Sequence, residues 1–218
     1  MTGVILAGGN GTRLRPLTNV ANKHLLPVYD KPMIYYPIQT LIDYGCDEIV
    51  IVSGGENIGG FAELLKDGSE WGVRFTYRVQ NGADGVAGAL LCAEGLVDGS
   101  FPVILGDNYL SESPKKSFQP MVFLKEVEDP ERFGVYQEGQ IVEKPANPTS
   151  NKAVIGFYIY DDDVFNYIRT LNPSDRGELE ITDVNNWYLK QGCRAVTYDG
   201  YWSDMGTFNS LREVSNRL

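Results

Sequence analysis

The feature that most constrains this chain is a glycine-rich loop directly after an apolar run near the N-terminus. Residues 4–6 are typical of a short buried strand, and Gly8, Gly9 and Gly11 follow within five residues. Glycine lets backbone N–H groups converge on an anion because no Cβ blocks the approach or excludes positive φ. Arg13 adds a planar guanidinium that suits two phosphate oxygens. The pattern predicts a strand that ends in a polyphosphate-binding loop, with a simple chain-reversing turn as the alternative.

Two familiar glycine-rich loops do not fit this spacing. A P-loop needs Lys followed by Ser or Thr directly after its last glycine, whereas Thr12 and Arg13 follow Gly11. The dinucleotide-binding fingerprint needs a third glycine where Leu14 stands. The loop is therefore of another type. Lys23, a few residues later, is either a second cation for the same phosphates or an ordinary surface lysine.

Composition narrows the choice of partners. A formal net charge of −10 argues against nucleic acid or an anionic membrane, because both bind basic surfaces. A phosphate ligand must then be held by locally placed cations or by a metal ion. The 3 cysteines are far apart in apolar segments, which indicates reduced core thiols and no zinc site. No secretion signal or membrane-spanning run is present, so we expect a cytoplasmic protein.

The single histidine limits the chemistry that the chain can support. With only His24 available, neither a histidine-based metal cluster nor a Ser-His-Asp triad can form within one chain. We interpret His24 as a structural residue.

The order of apolar segments predicts an α/β fold. Asp30 and Pro32 favour a helix start, and Gly45 a helix end. Residues 48–52 form a continuous apolar run, which is typical of a parallel strand covered on both faces. The further predicted elements are a helix around Phe61 and Leu65, strands at residues 73–79 and 101–105, a helix at residues 86–96, and a small antiparallel sheet from residues 133–136, 140–145 and 153–160.

Polar residues follow several of these strands, and in open α/β sheets ligands bind beyond the carboxyl ends of the strands. Gln80 offers a donor and an acceptor in one plane, which matches N3–H and O4 of a pyrimidine. The backbone near Gly85 can take another base carbonyl, beyond the small residues 81–84. A polar loop without a ligand is the alternative interpretation.

Two aspartates, Asp107 and Asp204, stand at strand ends beside glycines. Carboxylate oxygens suit Mg²⁺, which takes one or two protein carboxylates and completes its shell with phosphate and water. Both residues also suit ordinary turns. In a chain with a phosphate loop, one Mg²⁺ held against a nucleotide is the simplest interpretation. Glu143 and Lys144 lie on opposite faces of an extended segment, so one can accept from hydroxyls and the other can meet a phosphate.

These segments together resemble the bacterial sugar-1-phosphate nucleotidyltransferase family, nearest to short thymidylyltransferases. The matching segments are residues 3–16, 22–28, 31–35, 105–108, 129–135, 143–145, 177–183 and 204–207, which span almost the whole chain in order. The resemblance implies a Rossmann-like α/β/α fold with a mixed central sheet and a small β subdomain for the sugar. It also implies one domain over residues 1–218, with a nucleotide-binding half at about 1–110 and a sugar-binding part at about 120–204.

The resemblance further implies a reaction of nucleotide-sugar biosynthesis. A phosphate oxygen of a sugar 1-phosphate, with glucose 1-phosphate as the expected sugar, attacks the α-phosphorus of dTTP or UTP in line. Pyrophosphate leaves, and with dTTP the product is dTDP-glucose. The nucleophile is already an anion, so positioning and charge neutralisation suffice. The alternatives are a preference for UTP, another sugar, or a regulator that binds nucleotide sugars without turnover.

The resemblance also assigns roles by position. Arg13 neutralises the triphosphate, Lys23 lies at the α-phosphate and Lys144 holds the sugar phosphate. The residues matched to nucleotide binding are Leu6, Ala7, Gly8, Gly9, Gly11, Thr12, Arg13, Gln80 and Gly85. The residues matched to sugar binding are Asn108, Gly134, Glu143, Lys144 and Trp202. Asp107 and Asp204 are matched to Mg²⁺.

Three departures from the family pattern modify these expectations. The segment at residues 110–122 is short, which predicts a trimmed surface helix. Met205 places a bulky side chain beside Asp204, and we expect it to tune the site without abolishing it. The chain ends soon after the Asp204 motif, so the family's tetramer and feedback site are not carried over and a homo-oligomer is left open.

Overall fold

The structure of the protein, a computed structural model, describes residues 1–82 and 84–218. In this part of the chain the strands are β1 Thr2–Leu6, β2 Pro27–Val28, β3 Lys31–Pro32, β4 Glu48–Gly54, β5 Arg74–Gln80, β6 Phe101–Leu105, β7 Tyr109–Leu110, β8 Met121–Glu126, β9 Gly134–Gln137, β10 Gln140–Glu143, β11 Lys152–Tyr160, β12 Arg194–Thr197 and β13 Trp202–Ser203. The helices are α1 Tyr35–Tyr44, α2 Ile58–Leu65, α3 Gly85–Leu91, α4 Asp163–Ile168, α5 Ile181–Lys190 and α6 Phe208–Arg217.

One mixed sheet of nine strands forms the centre of the molecule. Its main path runs β10-β9-β11-β6-β1-β4-β5, while β8 pairs with β11 and β12 pairs with β8. Strand β1 lies parallel between β4 and β6, and β5 adds a fourth parallel strand beside β4. Strand β11 runs antiparallel to β6. The predicted Rossmann-like fold with a mixed central sheet is confirmed.

Helices cover both faces of this sheet, as the period-2 alternation of strand side chains requires. Ile5 of β1 belongs to an apolar cluster with Ile38 of α1 and Phe61 of α2. The flanking Val4 and Leu6 belong to a second cluster on the opposite face, with side chains of α3, α4 and α5. Buried residues on both faces explain the continuous apolar runs of the parallel strands.

The predicted start of the first helix was wrong by several residues. Lys31–Pro32 pairs with Pro27–Val28 in a short antiparallel ladder, and α1 begins only at Tyr35. Proline has no N–H to donate, so it fits the short ladder as well as a first helical turn, and Pro37 takes the helical position instead. Gly45 ends α1 in the left-handed conformation, as predicted.

Helix α3 is shorter than predicted, ending at Leu91. The N–H groups of Cys92, Ala93 and Glu94 bond to carbonyls only three residues earlier. These contacts tighten the backbone into turns, which ends the regular α-helix.

The strands predicted to form a small separate sheet instead extend the central one. β9 and β10 form a hairpin, and β9 pairs with β11, which also pairs with β6 and β8. The register of β11 against β8 shifts between Val154 and Tyr158. This irregularity lets a single strand of nine residues connect the parallel half of the sheet to the hairpin.

The last helix follows directly after Asp204. Thr207 accepts the N–H of Ser210, and the Ser210 side chain accepts the N–H of Thr207, which completes a capping box. Val214 of this helix packs with Leu14 and Met205 in a third apolar cluster. Within the described part of the chain, none of the helices has the length and apolar character needed to cross a bilayer.

The capping box predicts a measurable contribution to stability. Thr207→Ala removes the side-chain oxygen that satisfies an orphan helix N–H and should lower the free energy of unfolding by about 1 kcal/mol in urea denaturation. Asn216→Ala, at an exposed position of the same helix, is the matched control and should change it by less than about 0.5 kcal/mol. Equal effects of the two substitutions would contradict the assigned cap.

Candidate active site

A cavity of about 370 Å³ lies where the four parallel strands reach their carboxyl ends. Five of the predicted nucleotide-binding residues line it, namely Leu6, Gly8, Gly9, Gln80 and Gly85. Lys23 and Asp107 also line it. Segments distant in sequence therefore meet at the edge of the sheet where a ligand was expected.

Two glycines of the first loop, Gly8 and Gly11, lie close to side chains of other segments. A Cβ on Gly8 would lie 2.7 Å from Oε1 of Gln80, and a Cβ on Gly11 would lie 2.8 Å from Cβ of Lys23. Gly11 also has a φ of +60°, which disfavours other residues. The backbone just after β1 is held at Ala7, whose carbonyl accepts a hydrogen bond from the hydroxyl of Ser53 at 3.0 Å.

The predicted base-reading residues occupy one wall of the cavity. Gln80 is buried, and its Nε2 donates to the carbonyl of Gly85 at 3.1 Å. Gly85 has a φ of +80°, and a Cβ there would lie 2.7 Å from the carbonyl oxygen of Leu179. These contacts hold the Gln80 amide in one orientation beside Gly8. Residue 83 of the intervening loop lies outside the described residues.

Lys23 and Asp107 form an ion pair at the cavity wall. Nζ of Lys23 donates to Oδ2 of Asp107, and Nδ2 of Asn108 donates to the other oxygen at 3.1 Å. The two charged side chains are only 12% and 13% exposed. Burial alone raises the pKa of Asp107, but the charge of Lys23 and these hydrogen bonds outweigh it and hold the pKa below its ordinary value. The carboxylate is therefore ionised at neutral pH.

His24 lies next to this pair and is buried. Its Nδ1 lies 2.7 Å from Oδ1 of Asn22, which also accepts the backbone N–H of His24 at 2.9 Å. Burial, reinforced by the charge of Lys23, lowers the pKa of His24 to about 3. The ring is neutral at physiological pH, which agrees with the structural role inferred from the sequence.

Asp204 is brought next to this region by a short strand pair. Trp202 and Ser203 of β13 pair with Leu110 and Tyr109 of β7. One further step along this antiparallel register sets Asp204 beside Asn108, which directly follows Asp107. The ladder therefore brings together the segments that carry the two predicted metal ligands, although Asp107 lines the first cavity and Asp204 lines a second cavity of about 740 Å³.

Asp204 already has two cations beside it. Its Oδ2 accepts from Nη2 of Arg132 at 3.0 Å and lies 3.8 Å from Nη2 of Arg13. A Cβ on Gly206 would lie 2.7 Å from Nη2 of Arg13, so glycine gives the guanidinium room. Arg13 thus faces Asp204, whereas Thr12 and Arg13 themselves are exposed.

Asn108 and Trp202 fix one another beside the two aspartates. Oδ1 of Asn108 accepts the indole N–H of Trp202 at 2.5 Å and the backbone N–H of Gly156 at 3.0 Å. Trp202 also packs edge-on against the ring of Phe133, with centroids 5.2 Å apart. Both predicted sugar-binding side chains are therefore buried and rigidly held.

The other predicted sugar-binding residues form a group of their own. Oε2 of Glu143 accepts the hydroxyl of Thr182 at 2.6 Å, and Oε1 lies 3.2 Å from Nζ of Lys144. A Cβ on Gly134 would approach Oε2 of Glu143 to 3.4 Å. Gly134, Glu143 and Lys144 thus lie together, outside the walls of the first cavity. The prediction that Glu143 and Lys144 lie on opposite faces of an extended segment was wrong, because β10 ends at Glu143 and Lys144 has a φ of +42°.

Several residues at the site were not singled out from the sequence. Arg132 stands within a matched segment, but its partner Asp204 lies 72 positions further along the chain. Glu178 lines the first cavity near Gly85. Arg176 is a third such residue, and its Nη2 lies 3.6 Å from Oε1 of Glu143.

Comparison with known proteins agrees with this geometry. The profile of the family described as "Nucleotidyl transferase" matches residues 2–218. A glucose-1-phosphate thymidylyltransferase of Neisseria gonorrhoeae is 42% identical, over 99% of this chain and 82% of that protein. One from Xanthomonas campestris is 44% identical, over 98% and 79%.

Two solved structures are also similar. A Bacillus anthracis protein, provisionally described as a glucose-1-phosphate thymidylyltransferase in complex with sucrose, superposes with a TM-score of 0.92 at 45% identity, over 100% of this chain and 95% of that one. A UDP-glucose pyrophosphorylase complexed with UDP-glucose superposes with a TM-score of 0.85 at 28% identity, over 99% and 97%.

The neutral His24 predicts how stability depends on pH. In the unfolded chain His24 binds a proton below its ordinary pKa of about 6.5. In the folded protein it binds that proton only near pH 3. Stability is therefore lost as the pH falls through this window, by about 2 kcal/mol between pH 7 and pH 5 from this group. Urea denaturation of the wild type and His24→Gln at both pH values measures it. An identical pH dependence in the two proteins would contradict the buried neutral ring.

Proposed function

The chain belongs to the nucleotidyl transferase family, and we propose that it transfers a thymidylyl group from dTTP to glucose 1-phosphate. The products are dTDP-glucose and pyrophosphate. The observation that carries the proposal is one cavity that joins the glycine loop, the amide of Gln80 and the Lys23–Asp107 pair. Relatives at 42% and 44% identity over nearly the whole chain bear the name of this activity. Both substrates are intracellular metabolites, so the cytoplasm is the proposed place of action.

The nucleotide half, at about residues 1–110 of a single domain, binds dTTP. The Gln80 amide faces the Watson–Crick edge of thymine, and backbone N–H groups of the glycine loop surround the triphosphate. Lys23 lies at the α-phosphate and Arg13 at the leaving pyrophosphate. The support for these roles is the position of Gln80 and Lys23 in one cavity and the tight loop packing at Gly8 and Gly11.

The sugar-binding part, at about residues 120–204, binds glucose 1-phosphate. Glu143 accepts from sugar hydroxyls, Lys144 pairs with the phosphate, and the backbone of Gly134 lies beside the ring. Their mutual proximity supports this assignment, because a carboxylate 3.2 Å from an ammonium group can bind a hydroxyl and a phosphate of one small ligand.

Mg²⁺ fits the donors available. Asp107 is held ionised at the wall of the first cavity, and the ladder between β7 and β13 brings the segment that carries Asp204 next to the segment that carries Asp107, so two carboxylates are available in this region. This matches the one or two protein carboxylates that Mg²⁺ takes when phosphates complete its shell. In residues 1–82 and 84–218, no group of three or more His, Cys, Asp or Glu side chains is arranged for a metal ion. When bound, Mg²⁺ would neutralise charge on the phosphate oxygens.

The residues of the chain then act by position and charge. Lys144 orients the sugar phosphate, whose oxygen is already an anion, so no general base is required. Lys23 offsets the charge that builds on the α-phosphate, and Arg13 offsets that on the departing pyrophosphate. Asn108 and Trp202 contribute by keeping the wall between the two aspartates rigid.

UTP is the second candidate nucleotide. The UDP-glucose pyrophosphorylase structure shares this fold, and Gln80 would pair with uracil as it does with thymine. The two bases differ by one methyl group, which is worth only about 1 kcal/mol. The preference for dTTP therefore rests on the relatives.

A substrate panel tests the proposed function. We expect pyrophosphate release to be fastest with dTTP and glucose 1-phosphate, to remain within about tenfold with UTP, and to stop with EDTA. The measurement is a coupled pyrophosphate assay over several nucleoside triphosphates and sugar 1-phosphates. Faster turnover of another sugar phosphate would overturn the proposed substrate, and nucleotide binding without turnover would favour the regulator.

The role of Lys144 predicts a selective defect. Lys144→Gln removes the charge but keeps length and hydrogen bonding, so kcat/KM for glucose 1-phosphate should fall about 10²- to 10³-fold. The Kd for dTTP, measured by calorimetry, should change little. Lys152→Gln, at an exposed position of β11, is the control and should behave as the wild type. An equal loss in both variants, or weaker dTTP binding alone, would remove Lys144 from the sugar-phosphate site.

A further inference from the structure

Each of the two aspartates proposed to hold Mg²⁺ already carries a protein cation. Asp107 is paired with Lys23 and Asp204 with Arg132. Both carboxylates are largely shielded from solvent, with side-chain exposures of 13% and 14%. These ion pairs are therefore less screened than surface pairs, and a second cation at either carboxylate meets substantial repulsion.

Arg132 is held firmly in this position from three sides. Its Nη1 donates to Asp129 at 2.5 Å while its Nη2 donates to Asp204 at 3.0 Å. The ring of Phe133 lies 4.9 Å from the guanidinium carbon. A planar fork suits such a bridge between two carboxylates. Arg132 is thus a fixed part of the wall of the second cavity and not a mobile surface side chain.

We propose that Arg132 is a positioning residue that acts as the resident counter-ion of Asp204 and makes divalent-cation binding depend on the nucleotide. The inference rests on the proposed function, because it takes Asp204 as a Mg²⁺ ligand. A free divalent cation must displace the guanidinium from Oδ2 of Asp204 or bind beside it. Like charges at this separation repel strongly in a partly buried site, so free cation binds weakly.

A nucleotide changes this balance. Its triphosphate brings several negative charges to the same place, and the cations that oppose a metal ion then have phosphate partners. Besides Arg132, the cations concerned are Lys23, which lines the first cavity, and Arg13, which lies 3.8 Å from Asp204. Cation and nucleotide therefore strengthen each other's binding, and this coupling is reciprocal. In a chain with a net charge of −10, these protein cations keep Asp107 and Asp204 from binding a divalent cation before the nucleotide binds.

Mn²⁺ titration followed by electron paramagnetic resonance tests the role of Arg132 without turnover. In the wild type, we expect dTTP to tighten Mn²⁺ binding at least tenfold. Arg132→Gln removes the charge and should bind Mn²⁺ alone at least about tenfold more tightly than the wild type, with a smaller gain from dTTP. Arg132→Lys keeps the charge but not the planar fork, so its affinity for free Mn²⁺ should stay closer to that of the wild type than to that of Arg132→Gln. Arg169→Gln, which breaks an exposed ion pair with Glu94, is the matched control.

Two further variants keep the test decisive. Adding Asp204→Asn to Arg132→Gln should abolish the gain, which locates the bound Mn²⁺. Lys23→Gln should tighten binding of free Mn²⁺ at Asp107 in the same way. This second measurement tests the effect of a resident cation even if Arg132→Gln does not fold.

Two results would overturn the proposal. One is free Mn²⁺ binding that is unchanged or weaker in Arg132→Gln, and the other is wild-type Mn²⁺ binding that dTTP does not alter. The proposed function is judged separately by pyrophosphate release, since Mn²⁺ affinity is measured without glucose 1-phosphate. Either idea can therefore fail while the other stands.

Discussion

The parallel pairing of β1 between β4 and β6 is the constraint on which the rest of the structure depends. Leu6 lies level with Val52 on one side and with Leu105 on the other. Three segments consequently begin at the same edge of the sheet: the glycine loop after β1, the turn at Gly54 after β4, and Gly106–Asp107 after β6. A slip of one residue would send Val4 and Ile5 to the wrong faces, so the buried apolar pattern fixes the register and, with it, the site.

Positively charged side chains cluster at the candidate site, although the chain as a whole is negatively charged. The chain carries a net charge of −10, yet Lys23 pairs with Asp107 at the first cavity, and Arg132 and Arg13 lie beside Asp204, which lines the second. Each cation offsets an acid that would otherwise be partly buried without a partner, which would be costly. Under the proposed function, the same cations meet the phosphates of the nucleotide. On that proposal, one set of charged side chains serves both folding and ligand binding, and a ligand would replace existing ion pairs.

The sequence was sufficient for those parts of the fold that are encoded by continuous segments. Apolar runs beside glycine identified β1, β4 and β6. The helix expected from Pro32 was misplaced because proline suits a short edge ladder equally well. The alternation of β9, β10 and β11 gave correct strands but no information on their partner, since β6 lies about fifty residues away from β11 in the chain.

The same distinction applies to the site. Resemblance to a family identified Lys23, Gln80 and Asp107, which the structure brings to one cavity. It did not identify the contact between Arg132 and Asp204, because that contact depends on the two-residue ladder between β7 and β13. Such a short pairing leaves almost no periodic signal in the sequence. Contacts of this type become visible only when the topology is known.

Asn108 shows how the buried network limits what the site can recognise. Its carbonyl oxygen has two lone pairs, and the N–H groups of Trp202 and Gly156 occupy both. These two donors also fix which amide atom is the oxygen. Its Nδ2 gives one hydrogen to Asp107, so a single N–H is left for a ligand. Under the proposed function, Asn108 would donate to a sugar oxygen and would not accept from a hydroxyl, which leaves that acceptance to carboxylates such as Glu143.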